Sequence, residues 1–260
     1  SINDYKNLIN RLPDNKNIKV FRNTINTGFA CGNMDGYSQS SGKYLLFINN
    51  DCECLNDVVE PLVKFIKNNK LAGLLTGKIS GKDGKYTGTH KLFPCISKSL
   101  FGTALSRLLQ KNKFISPKMR IIKPTKVQVV TGAFMFFDRN VFECIGGFDK
   151  IFFLDCEEED ISKRVWDFGK EVYMIPEPEV IHEHGGSKDS SNELANEYYI
   201  SYKKLIFKHY SYPYAVIMML FVYLKILLKI IRLRAHPGLI KLALMGFPEK
   251  QSLRYKQNKV

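Results

Sequence analysis

Hydrophobic and polar positions along the chain fall into short apolar runs, each ended abruptly by polar or glycine-rich turns. Residues 17–21 (NIKVF) read as a strand, and residues 23–36, rich in Asn and Gly, as the loop after it. Residues 44–48 (YLLFI) are apolar without interruption and stop at Asn49, Asn50 and Asp51. That is the pattern of a buried parallel strand running into a functional loop. Val58, Val59, Leu62, Val63 and Ile66 recur at helical spacing, with Pro61 tolerable only in the first turn. Residues 71–76 predict the next strand, and residues 77–88, with Gly81, Asp83 and Gly84, a loop or hairpin. Residues 90–126 are basic and irregular. Residues 127–137 are β-rich around Thr131, Gly132 and Ala133, and residues 155–166 suit a helix that opens with acids. A strand over 172–175 gives way to a proline-punctuated stretch and then to a loop over 182–187. Strands alternating with helices predict an α/β sheet covered on both faces.

The last segment differs in kind. Residues 214–224 are apolar throughout, after which Lys225, Lys229 and Arg232 follow at spacings of four and three. This puts the cations on one side of a helix whose remaining face is apolar. A spanning helix needs about 20 mostly apolar residues, and the uninterrupted run here is shorter. An interfacial amphipathic helix fits best, with a short tilted span or a partner-facing helix as alternatives. Charge sharpens the division. The net charge is +14, of which residues 201–260 carry +11, from twelve Lys and Arg against Glu249 alone. A nearly neutral body over 1–200 is thus expected to carry a basic helical tail over 201–260, and such a tail calls for an anionic partner. Nucleic acid is not that partner, because the cations border an apolar face and are not interleaved with aromatics around a groove.

Six scattered cysteines include no paired spacing, so reduced thiols are expected, with a zinc site on Cys52 and Cys54 the less economical reading. Residues 1–11 are polar and lack the apolar stretch of a signal peptide.

Three polar clusters stand where open α/β sheets hold their ligands, at the C-terminal ends of strands. Asn49, Asn50 and Asp51 suit a hard divalent cation that leaves coordination free for phosphate oxygens, though the same residues are ordinary turn formers. Glu157, Glu158, Glu159 and Asp160 repel one another, which raises their affinity for protons and equips one of them as a general base. A solvated first helical turn would look the same. His182 and His184, ahead of Gly185, Gly186 and Ser187, could ligate a metal while the glycines admit a phosphate.

Taken in order, these segments resemble the family 2 glycosyltransferases of the GT-A fold, in their rhamnosyltransferase-like branch. The residues that carry the resemblance are NTGFACGN at 26–33, GKYLLFINND at 42–51, TGA at 131–133, GGFD at 146–149, Phe152 and Phe153, EEED at 157–160, and 182–187. The resemblance implies a Rossmann-like mixed sheet with helices on both faces. It implies inverting transfer of a sugar from a nucleotide-diphosphate donor to a hydroxyl of a lipid-linked saccharide acceptor, in cell-envelope polysaccharide synthesis at the cytoplasmic face of the membrane. Asp51 and His182 would hold Mg²⁺ or Mn²⁺, with His184 competing for the second place. Asn26, Gly28, Asn33 and Asn49 would bind the donor, and Gly132 and Ala133 the acceptor. Glu158 would be the base, with Glu157 and Asp160 its neighbours in contention.

Family members open with a strand–helix–strand unit whose loops hold the nucleotide base, and the resemblance here begins near where that unit ends. An inactive, membrane-associated scaffold is therefore the alternative function. A nucleotidyltransferase would need a basic phosphate-gripping loop that the sequence lacks. A glycoside hydrolase would not need the Asn-Asn-Asp strand end.

Overall fold

In the computed structural model the described residues are 2–87, 89–96, 115–116, 119, 121–182, 192–232 and 234–256. The chain opens with α1 (Ile2–Arg11) and, after an irregular stretch, α2 (Gly28–Ser38). There follow β1 (Tyr44–Ile48), β2 (Cys52–Cys54), α3 (Glu60–Asn68), β3 (Ala72–Ser80), β4 (His90–Lys91), β5 (Thr125–Lys126), β6 (Val129–Val130) and β7 (Phe134–Asp138). Next come α4 (Arg139–Cys144), α5 (Glu157–Asp167), β8 (Glu171–His182), α6 (Asn192–His209), α7 (Tyr212–Ile231) and α8 (Pro237–Leu244), with two 3₁₀ turns at Glu249–Gln251 and Leu253–Tyr255.

The main sheet runs β1-β7-β3-β8-β2, with β5 on part of β8. Only β3 and β8 are parallel, and the other pairs are antiparallel. Side chains alternate across it with a period of two. Leu45, Phe47, Leu74, Met135 and Phe137 enter one core, under α2, α4 and α5. Leu75, Phe134 and Phe136 enter the other, which α3 covers with Leu62 and Ile66. Rings dominate the first core: Phe47, Phe137, Phe142 and Phe148 meet mostly edge to face, at centroid distances of 5.0–6.5 Å. Such pairs add about 0.5–1.5 kcal/mol each to the burial energy.

Several expectations fail here for physical reasons: residues 28–36 of the foreseen loop belong to α2, and β1 is an edge strand antiparallel to β7 in place of a buried parallel one. Residues 17–21 form no strand, since among the described residues none pairs with them, and Ile18 and Phe21 stay 40% and 54% exposed. The strand foreseen over 172–175 instead continues through Pro176 and Pro178 to His182. Pairing with β3 jumps from Thr76↔Met174 to Lys78↔Glu179, so β8 bulges out between them, and both prolines sit where no ladder donor is required. Gly77 lies opposite; a Cβ there would meet the Phe134 ring at 2.4 Å and the Pro178 carbonyl at 2.6 Å.

The last helices build a third layer. A boundary at residue 200 falls inside α6, which shares its apolar side with both the body and the tail. Leu205 packs with Phe152 and Cys156, while Ile200 joins Val222, Ile226, Leu239 and Phe247. Buried Glu197 accepts hydrogen bonds from Ser252 Oγ at 2.9 Å and Leu253 N at 2.7 Å, which ties down the end of the chain. Helix α7 is 20 residues long with a mean hydropathy of 2.2, enough by length and composition to cross a membrane. Its buried residues Ala215, Met218, Met219, Val222 and Ile226 form one stripe. Ile217, Leu220, Leu224, Leu227 and Ile231 are exposed.

Candidate functional site

The pairing of β2 with β8 sets Cys52 opposite His182. That register brings the turn after β1 to the end of β8, and His182 Nε2 lies 3.1 Å from Asp51 Oδ1 and 3.4 Å from Asn49 Nδ2. Asp51, Cys52 and His182 offer ligand atoms that all lie within 4.8 Å of one another. Carboxylate and imidazole together suit a divalent cation of the Mn²⁺ kind. Burial, and then the charge of Asp51, push the Cys52 thiol up to about 11. Asp51 and His182 therefore come together as the sequence foresaw. Cys52 was considered only as a zinc ligand alongside Cys54, which is exposed. Residues 183–187, His184 among them, lie outside the described residues.

A series of contacts leads from this corner to the acid turn. Asn49 N donates to Ala133 O at 3.0 Å, so the turn after β1 is bonded to the Gly132–Ala133 segment. Gly132 faces the Phe29 ring, which an added Cβ would meet at 3.4 Å. Phe29 N in turn donates to Phe153 O at 2.9 Å, two residues before Asp155. The start of α2 is shaped for this approach. Asn26 Oδ1 accepts from Gly28 N at 2.9 Å, and Gly28 has φ +84° with Phe153 O only 2.3 Å from where a Cβ would sit. Asn26 and Gly28 thus act through the backbone. Asn33 does not join them: its Nδ2 donates to Phe29 O one turn back, and it lines a groove of about 400 Å³ beside β1.

The acid turn is held in a costly conformation. Asp155 and Cys156 have φ of +65° and +69°, a region that non-glycine residues enter at roughly 1–3 kcal/mol each. Glu157 and Glu158 are buried, and Lys91 Nζ from β4 lies 2.5 Å from Glu158 Oε1 and 3.3 Å from Glu159 Oε1. Among the described residues Glu157 Oε2 and Glu159 Oε2 have no hydrogen-bond partner. Burial first, and then the charge of Glu158, raise Glu157 well above an ordinary carboxyl, Glu159 to about 7 and Asp155 to about 6. Lys91 opposes that rise at Asp155 and Glu159. Burial works against the charge of Lys91 itself, yet Glu158 and Glu159 keep it protonated.

Asp160 belongs elsewhere, which corrects its place among the candidate bases. It is fully buried, and its oxygens are engaged by Arg164 at 2.5 and 2.9 Å, Lys208 at 2.5 Å and His209 at 2.7 Å. Burial opposes its ionisation, but His209, Arg164 and Lys208 hold it down at about 2. Arg164 also donates to the carbonyls of Ile145 and Gly147, both at 2.6 Å. Asp160 is thus a fixed anion that fastens α5 to α6 and to the Gly-Gly turn. Sequence reading missed Lys91 and these partners because each pair but Arg164–Asp160 spans 48 or more residues of chain.

Comparison with known proteins matches residues 2–146 to glycosyl transferase family 2. Over 148 residues the chain is 26% identical to the rhamnosyltransferase WbbL of Escherichia coli (strain K12), a match covering 56% of this chain and 54% of that protein. Over 173 residues it is 25% identical to a probable N-acetylgalactosaminyltransferase 6 of Caenorhabditis elegans, covering 64% and 27% respectively. The chain thus spans about half the length of the first relative and about a quarter of the second. In structure it is similar to GalNAc-T7, solved with UDP, GalNAc and Mn²⁺, with a TM-score of 0.50 and 20% identity over 77% of this chain and 38% of that one. The sheet is that of the GT-A fold.

Proposed function

The chain belongs to glycosyl transferase family 2, and from that premise we propose that it moves a sugar from a nucleotide-diphosphate donor to a hydroxyl of a lipid-linked saccharide. The observation that carries the reading is the Asp51–His182 pair at 3.1 Å, joined through Ala133, Phe29 and Phe153 to a turn of proton-hungry carboxylates. Asp51 and His182 would hold Mn²⁺ or Mg²⁺, which when bound neutralises the departing diphosphate. Asn26 and Gly28 set the loop that faces the donor, and Asn49 orients His182. Glu158 is the base, kept in place by Lys91, and Glu157 is the neighbour able to share its proton.

In the transfer the acceptor oxygen bonds to the anomeric carbon as the bond to the diphosphate breaks. The bonding pair leaves with the diphosphate and the hydroxyl proton passes to Glu158. Attack opposite the leaving group inverts the anomeric configuration. A rhamnosyl or other hexosyl donor agrees with the similarity to WbbL, whose printed name is a rhamnosyltransferase. The basic tail and the exposed apolar side of α7 support work at the cytoplasmic face of a membrane, as a peripheral enzyme of envelope polysaccharide synthesis.

Calorimetric titration of nucleotide sugars with and without Mn²⁺ tests the metal reading. The wild-type chain is expected to show metal-dependent binding and Asp51→Asn to lose it. Equal binding by the two removes Asp51 from the site.

A further inference from the structure

A cavity of about 630 Å³ lies where the acid turn meets the last helices. Cys156 and Glu159 line it from the body, Tyr198, Tyr199 and Tyr202 from α6, and Lys225, Lys229, Arg232 and Arg234 from the end of α7 and just beyond. The charge is lopsided. Among the described residues Glu159 is the only acid in the lining, and Lys91 already pairs with it at 3.3 Å. Lys229 donates to the Tyr199 hydroxyl at 3.1 Å. Among the described residues Lys225, Arg232 and Arg234 have no acidic partner. Four cations converging on one space, against a single described acid that Lys91 already engages, make a site for a multiply charged anion, and paired arginines favour the oxygens of a phosphate.

The helix geometry says what is attached to that anion. At about 3.6 residues per turn, Lys225, Lys229 and Arg232 form a stripe between the buried side of α7 and its exposed apolar side. A phosphate on the stripe therefore has Leu224, Leu228 and Ile231 beside it on the outer side, exposed at 48%, 42% and 68%. On the inner side it has the acid turn, through Glu159.

We propose that this cavity is the acceptor subsite, and that it takes a lipid phosphate or diphosphate whose sugar reaches the acid turn while its apolar chain lies along α7. The inference rests on the sugar-transfer reading for the word acceptor. The binding it describes stands separately.

The test is a calorimetric titration of the full chain with dodecyl phosphate below its micellar concentration, with dodecanol and inorganic phosphate as separate arms and no donor or metal present. Dodecyl phosphate is expected to bind at least about tenfold more tightly than either fragment of itself. The double variant Lys225→Ala, Arg232→Ala should lose at least about tenfold of that affinity with an unchanged melting temperature. Lys241→Ala with Lys250→Ala, which removes equal charge away from the cavity, should bind as wild type. The proposal is overturned if dodecanol or inorganic phosphate binds as well as dodecyl phosphate, or if the two double variants behave alike. Equal competition by phosphatidylglycerol vesicles would also overturn it, making the cations a general headgroup contact. Failure of the sugar-transfer reading would appear instead in the metal-dependent donor titration, which this experiment does not contain.

Discussion

Adjacent acids in one helical turn have opposite fates, decided by what stands across from each. Glu158 meets one lysine, Lys91, that is itself half exposed, whereas Asp160 is enclosed by Arg164, Lys208 and His209. Glu158→Gln should lower turnover by about 10²–10⁴-fold, the span of general base catalysis, with little change in melting temperature. Asp160→Asn removes the buried anion that half-buried Arg164 and Lys208 share and should cost about 1–3 kcal/mol of stability, read by denaturant titration. Larger loss of turnover at unchanged stability in the Asp160 variant would return it to the candidate bases. The raised acids also set a pH dependence. Glu159 ionises at about 7 in the fold, above the 4.5 of an ordinary glutamate carboxyl. Its folded value lies above its unfolded one, so its protonated form favours the fold. That contribution is full below about 4.5 and is lost as pH rises toward 7. Lys91→Met removes the cation that counters the rise at Asp155 and Glu159, so the pH range over which this stability is lost should move upward in a profile of melting temperature against pH. A profile that stays in place would limit Lys91 to packing.

At the scale of elements, what the sequence made legible was whatever a local pattern encodes. The run YLLFI announced β1 and its polar stop announced the Asn49–Asp51 turn, but β1 is an edge strand with only Leu45 and Phe47 buried, and not the buried parallel strand that an unbroken apolar run suggests. The acidic start of α5 and the helical spacing in α3 and α7 were legible in the same local way. Pairing was not legible. NIKVF has strand composition but no partner among the described residues, and β8 outlasted its prolines because a bulge opposite Gly77 took them out of the ladder. Lys91 sits in a two-residue strand within a stretch of no readable period, and only its pairing with Val129 brings it toward the site. One element-level joint is directly testable. Gly28 couples α2 to the acid turn through both its φ and its closeness to Phe153, so Gly28→Ala should destabilise by about 1–3 kcal/mol. It should also weaken donor binding, because the Asn26 turn has to move. A melting curve and a donor titration like the wild type's would show that the joint yields freely.

For the whole molecule, the tail is better described as a third layer than as an appendage. Cutting the chain at residue 212 would strip the cover from Ile200 and Ile206 and free Glu197, so truncation confuses membrane release with unfolding. Point changes on the exposed side are the cleaner test. Leu220→Glu with Leu224→Glu should strongly reduce co-sedimentation with anionic vesicles while leaving circular dichroism and the melting temperature in place. Wild-type binding should weaken with salt yet persist, since lysines near the surface contribute about 1 kcal/mol each and apolar insertion is not screened. Equal sedimentation of variant and wild type would assign that side of α7 another role. The strand order has a further consequence, for synthesis. β3 waits for both of its neighbours, β7 and β8, which are made some 60 and 100 residues later, and β1 pairs only with β7. At about 5–20 residues per second, the ribosome leaves β3 without its parallel partner for roughly 5–20 s. For the first part of that interval, until β7 is made, YLLFI also has no partner strand. The nascent chain should therefore lean on chaperones until β8 emerges, and be sensitive to anything that slows translation between residues 80 and 171.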